Sequence, residues 1–115
     1  MSDILNIRNS RLDNSPVAYI ADLLEEYLQG RCTKLELKNT FTARTNEAQY
    51  FFFHMPQVEV QHNQQIFQPE FRLADSVGRL IKHSSSMTDE DFTGKLHQCA
   101  REYLDGLADL PAQEE

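Results

Sequence analysis

Lys34-Leu35-Glu36-Leu37-Lys38-Asn39-Thr40-Phe41-Thr42-Ala43, then after the polar stretch 44–47 the run Gln49-Tyr50-Phe51-Phe52-Phe53-His54-Met55-Pro56, is the stretch on which the fold turns. In its first ten residues Leu35, Leu37, Phe41 and Ala43 take one side, and Lys34, Glu36, Lys38, Thr40 and Thr42 the other. A period of two is that of a half-buried strand. Arg44-Thr45-Asn46-Glu47 reads as a turn, and 49–55 resumes with aromatic residues suited to a sheet. Pro56 cannot donate to a ladder and marks a bulge or the end of that strand. Val58 and Val60 alternate with Gln57, Glu59 and Gln61, giving a third short strand or a continuation of the second, with a polar connection over 62–65. Strands at 34–43, 49–55 and 57–61 with short links predict an antiparallel β-meander.

Helical signals flank this centre. Ser15-Pro16 places a capping hydroxyl ahead of a proline at a first helical position. Val17, Ile20, Ala21, Leu24 and Leu28 recur at helical spacing, and Gly30 supplies a left-handed stop, so 16–29 reads as a helix. Asp22, Glu25, Glu26 and Gln29 line its wet face. Pro69 starts a second helix, with Leu73, Val77, Leu80 and Ile81 inward and Arg72, Asp75, Arg79 and Lys82 outward. Ser84-Ser85-Ser86 ends it. Thr88 caps a third, with Asp91 three positions on. Its apolar stripe is Phe92, Leu96, Cys99, Ala100, Tyr103, Leu107 and Leu110, and Pro111 stops it. The expectation is one α+β domain spanning 1–115, three helices on a sheet of about three strands, with 1–14 and 111–115 less ordered.

Size and composition agree with a folded domain. The chain has 115 residues, of which 29 are Leu, Ile, Val or Phe, and a chain of this length buries roughly two-thirds of its unfolded surface. The N-terminus lacks a signal-peptide pattern. The longest aromatic run, 50–53, is far short of the ~20 apolar residues of a membrane span. Cys32 and Cys99 form no CxxC, and a cytoplasmic setting is expected, with a bond between the two left open.

Charge is the strongest functional signal. Residues 1–84 carry nine Lys/Arg against ten Asp/Glu, whereas 85–115 carry two (Lys95, Arg101) against eight, in a chain of net charge −7. At about 100° per residue, Asp91, Gln98, Glu102, Asp105 and Asp109 share one side of the last helix, away from the apolar stripe. Neighbours three and four apart stand about 5–6 Å apart at Cβ, a scale similar to that of successive phosphates along a nucleic-acid strand. In charge geometry, though in no sequence signature, this face resembles that of DNA-mimic proteins. A plain surface accounts for part of the row: Asp89, Glu90 and Asp91 complement the dipole in the first turn, and Lys95 pairs with Asp91 by spacing. Glu102, Asp105 and Asp109 sit where the dipole disfavours them.

Other chemistry finds little support. His54, His62, His83 and His97 form no HExxH or i,i+4 pair, so no metal site is expected. There is no GxSxG, and Gly30, Gly78, Gly94 and Gly106 are unclustered, so neither a nucleophile elbow nor a phosphate cradle exists and no cofactor is implied. The only basic cluster, Arg8, Arg11, Arg72, Arg79 and Lys82, is too small against −7 for direct nucleic-acid binding. The functional expectation is therefore a non-enzymatic, bacterial- or phage-type inhibitor. It would bind a basic protein, such as a nucleoid-type DNA-binding protein, through Asp91, Glu102, Asp105 and Asp109, joined by Asp22, Glu25 and Glu26. An immunity protein against a nuclease toxin, a small acidic secretion-type chaperone and a self-associating module are the alternatives; the last would use whichever rings of 50–53 an open sheet face exposes.

Overall fold

The stretch expected to form a sheet is helical. A computed structural model describes Ile7 and residues 11–108, and among these residues there is no strand. A 3-10 turn at Arg11–Asn14 leads to α1 (Tyr19–Leu28), α2 (Lys34–Phe53), α3 (Gln57–Ile66) and α4 (Gln68–Lys82). A second 3-10 turn, Ser84–Ser86, joins α4 to α5 (Asp89–Ala108).

The β-meander is overturned by the way α2 starts and by what it buries. Thr33 stands at the N-cap in extended geometry; its Oγ1 accepts from the Glu36 amide at 3.1 Å, and the Glu36 carboxylate accepts from the Thr33 amide at 2.9 Å. Two orphan donors of the first turn are thus satisfied reciprocally, which favours helix from Lys34 onward. Leu37 and Phe41, four apart, are buried, and Ala48 and Phe52 continue the same seam half-buried. Leu35 and Leu37, which alternation would put on one face, part company: Leu35 is 66% exposed and Leu37 1%. Two helical steps separate side chains by about 200°. Residues 34–43 are thus the first half of α2, 49–55 its end and the turn beyond, and 57–61 the first half of α3. The expected turn at 44–47 lies inside α2, where Arg44 Nε pairs with Glu47 Oε1 at 3.6 Å across one helical turn. Pro56 does interrupt the chain, but between two helices, as the N-cap of α3. The expected connection 62–65 lies within α3.

The flanking helices match their local signals more closely. Ser15 Oγ accepts from the Val17 amide at 3.3 Å, a turn follows, and α1 begins at Tyr19, later than expected. Gly30 closes it at φ 76°, a left-handed conformation natural to glycine. Leu73, Val77 and Ile81 of α4 are buried with Leu80 half-buried, and Arg72, Asp75, Arg79 and Lys82 are exposed. In α5, Thr88 Oγ1 accepts from the Asp91 amide at 3.1 Å; Phe92, Leu96, Ala100 and Tyr103 are buried, while Cys99 and Leu107 are half-buried. Leu110 lies outside the described residues. The two C-terminal helices pack on each other and α4 also on α2, so helix-on-helix layers replace the predicted helix-on-sheet arrangement. At Gly78 the contact with α2 is close: a Cβ there would meet Phe41 Cε2 at 3.3 Å. Of the ends expected to be less ordered, Leu12 and Ile7 are fully buried; the remainder of 1–10 and 109–115 lies outside the described residues.

Candidate functional site

The acids singled out by sequence divide into two groups. On α5, Asp91, Glu102 and Asp105 are all exposed. Among the described residues no cation closes on these three; Glu102 Oε2 accepts from Gln98 Nε2 at 3.2 Å. Lys95 is exposed on the same helix, within the row. Asp109 lies outside the described residues. The α1 acids behave differently. Asp22 is exposed, but Glu25 and Glu26 are only partly so, and both are engaged at the end of their own helix. Glu25 accepts from Gln29 Nε2 at 3.1 Å, and Glu26 pairs with Arg31 at 2.8 Å. Asp89 is drawn to Lys34 at 3.3 Å, whose ammonium also donates to the carbonyls of Ser84 and Met87. Among the described residues, the α5 part of the expected acidic face thus consists of Asp91, Glu102 and Asp105.

The larger feature is apolar. Tyr50, Phe51 and Phe53 in the last turn of α2 are 68%, 65% and 83% exposed. Val58 and Ile66 of α3 are 75% and 43% exposed. Sequence alternation assigned at least half of the 50–53 rings to the core; in the helix they fan around the axis, and only Phe52 is partly covered, its ring 5.8 Å from that of Phe71. His54 stacks edge-on against Tyr50 and Phe53 at 4.4 and 5.4 Å. α3 buries none of its ten residues. Its inward residues, Val60 and Asn63, are half-covered, while Val58, His62 and Ile66, spaced by four, form its outer stripe. Beside this corner a groove of about 550 Å³ opens between α2, α3 and α4, floored by Phe52, Val60 and Phe71. A signal for the exposed set was present in sequence: within 57–66 only Val58, Val60 and Ile66 are apolar, too few for a helix to bury a full stripe.

A buried polar cluster also escaped the sequence reading. Glu70 is fully buried in the first turn of α4. Arg11 Nη2 reaches its Oε1 at 3.0 Å, and the Tyr103 hydroxyl donates to Oε2. Arg11 donates as well to the carbonyl of Ile66. One carboxylate thereby ties the N-terminal turn to α4 and α5. It is enclosed and satisfied on both oxygens, an arrangement that holds structure.

Both cysteines are free. Burial pushes the Cys99 thiol above its ordinary pKa, and the Glu102 carboxylate adds to the effect. Cys32 shifts the same way, through burial first and then Glu36 and Glu26. Among the described residues no group of three or more His, Cys, Asp or Glu could hold a metal ion, and no helix is long and apolar enough to cross a membrane. Comparison with family models, curated proteins and solved structures returned no match.

Proposed function

We propose that this chain is a non-enzymatic protein-interaction module working through the aromatic end of α2 and the outer side of α3. The observation that carries this reading is the exposure of Tyr50, Phe51 and Phe53 in the last turn of α2 and of Val58 in the first turn of α3, each at 65% or more. Scattered apolar residues on a surface need no explanation, but three adjacent rings and a helix without a buried residue do. Aromatic side chains are also those that dominate interface energetics. Residence in the cytoplasm belongs to the same proposal, supported by two free thiols. The test is capture of partners from lysate, with nuclease treatment, by the native chain and by Phe51→Ser/Phe53→Ser. Partners lost with the rings support the reading, and partners indifferent to them defeat it.

A second reading keeps the acidic helix as the active face, in a DNA-mimic-type inhibitor or an immunity protein against a nuclease. It is favoured by the exposure of Asp91, Glu102 and Asp105 without a cation closing on them among the described residues. Carboxylates held on a helix compete with phosphates for Lys and Arg, and such association weakens steeply with salt. Binding to a basic nucleoid-type protein that ignores ionic strength, or that survives Glu102→Lys/Asp105→Lys, removes this reading.

A further inference from the structure

We infer that the partner at the aromatic corner is a second copy of this chain, joined across a two-fold axis with α2 and α3 of each copy at the interface. The inference rests on reading that corner as an interaction surface, and three observations choose its occupant. The first is charge. Residues 49–66 hold one Lys, Arg, Asp or Glu, namely Glu59, in a molecule of net charge −7. A two-fold interface sets each patch against its own copy, so charges near the axis would face their like. The aromatic corner is the charge-poor stretch such an arrangement requires, whereas a strongly basic partner would be steered to the acids of α5.

The second is area. With roughly 200 Å² for a whole aromatic side chain, the exposed parts of Tyr50, Phe51 and Phe53 amount to about 400 Å². Val58 and Ile66 bring this to at most about 600 Å² per copy, or about 1,200 Å² for a pair if all of it is covered, the lower bound of stable specific interfaces. The third is shape. Phe53 stands proud at 83% exposure, and the groove over Phe52, Val60 and Phe71 opens on the adjoining side of the same helix end. Each copy thus carries both a protruding ring and a recess in which Phe52, Val60 and Phe71 are joined by glutamines and by one residue of each charge, Arg72 and Asp75. Reciprocal exchange closes as a dimer and leaves neither feature to propagate.

The test is sedimentation velocity on the purified full chain up to about 100 µM, a range that captures interfaces at the small end of the size scale. The native chain is expected to show a species of twice its 13.3 kDa mass. Phe53→Asp and Val58→Asp, which alter side chains with little packing in the single copy, are expected to keep the helical circular dichroism and to weaken association roughly tenfold or more. A native chain that stays at the mass of one copy throughout, or variants that associate as the native chain does, would overturn the inference. If the single-copy chain still captures a foreign protein in a Phe53-dependent way, the second copy is refuted while the interaction surface stands. If capture is also indifferent to Phe53, both fail.

Discussion

Removing one hydroxyl, in Tyr103→Phe, tests whether the buried carboxylate of Glu70 acts as a tie between helices. Tyr103 is 5% exposed and Glu70 0%, and Tyr103 donates to Oε2 while Arg11 holds Oε1. Phenylalanine retains the ring and its packing, so the change removes the hydroxyl's bond to a carboxyl group that also pairs with Arg11, a class of bond worth about 1.5–3 kcal/mol. Water cannot easily replace the lost donor at a fully buried oxygen, which favours the upper half of that range. Glu70→Leu removes the acceptor of that hydroxyl from a buried site, again at about 1–3 kcal/mol. Arg11 loses its carboxylate in that variant but still has the Ile66 carbonyl as acceptor, and its side chain is 33% exposed to solvent. The double variant leaves an apolar pair of similar shape, and replacing a buried ionic contact in this way is often neutral. The two single losses are therefore expected not to add, with a coupling of about 1–3 kcal/mol. Urea unfolding followed by far-UV circular dichroism reads this directly: with a slope of about 1–3 kcal/mol per molar, Tyr103→Phe moves the midpoint down by roughly 1 M. An unchanged midpoint in Tyr103→Phe, or strictly additive losses in the cycle, would refute the tie.

Further expectations follow from the same structure. Leu37→Ala should cost about 2–5 kcal/mol as a core truncation, whereas Leu35→Ala should stay within about 0.5 kcal/mol as a surface change; equal losses would restore the strand reading of 34–43. Thr33→Ala should cost about 1 kcal/mol and lower amide protection in the first turn of α2, and hydrogen exchange that is unaltered there would remove the capping argument. Cys99 should alkylate more slowly in the folded chain than in urea, because burial and then Glu102 raise its pKa and hold the thiol neutral; Glu102→Gln should quicken it, and an unchanged rate would exclude the carboxylate as a cause. The linked stability has a definite sign. A thiol pKa raised by folding contributes below the ordinary thiol range, and that contribution is lost as pH rises from there through the raised value. Cys99→Ala should flatten that alkaline decline, and an unaltered slope would place its origin elsewhere.

Elements whose ends are written in local chemistry were legible. Ser15-Pro16, Gly30, Pro69, Ser84–Ser86 and Thr88 act on the backbone within a few residues, so α1, α4 and α5 were readable within a turn or so. The Thr33 and Glu36 pair was equally local and was outweighed by ten residues of apparent alternation. That alternation was degenerate, because the two residues that α2 buries over 34–43, Leu37 and Phe41, are four apart and fit either period. Aromatic residues at 50–53 and β-branched ones at 58 and 60 then lent the sheet a propensity that packing did not honour. Of the expected ridge, the exposure of Asp91, Glu102 and Asp105 was legible from helical spacing, while the engagement of Glu26 by Arg31 was not.

By itself the sequence determined the total charge and its concentration in the last quarter of the chain, the caps, and the apolar stripes of α4 and α5. Each is a property of a residue or of neighbours within one or two helical turns. The tertiary structure alone decided the rest. It sets Phe41 against Gly78, buries Glu70 between Arg11 and Tyr103 across 59 and 33 positions, and leaves Tyr50, Phe51 and Phe53 in water. Exposure and pairing depend on which distant segment arrives to cover a side chain, and no window of local spacing contains that segment.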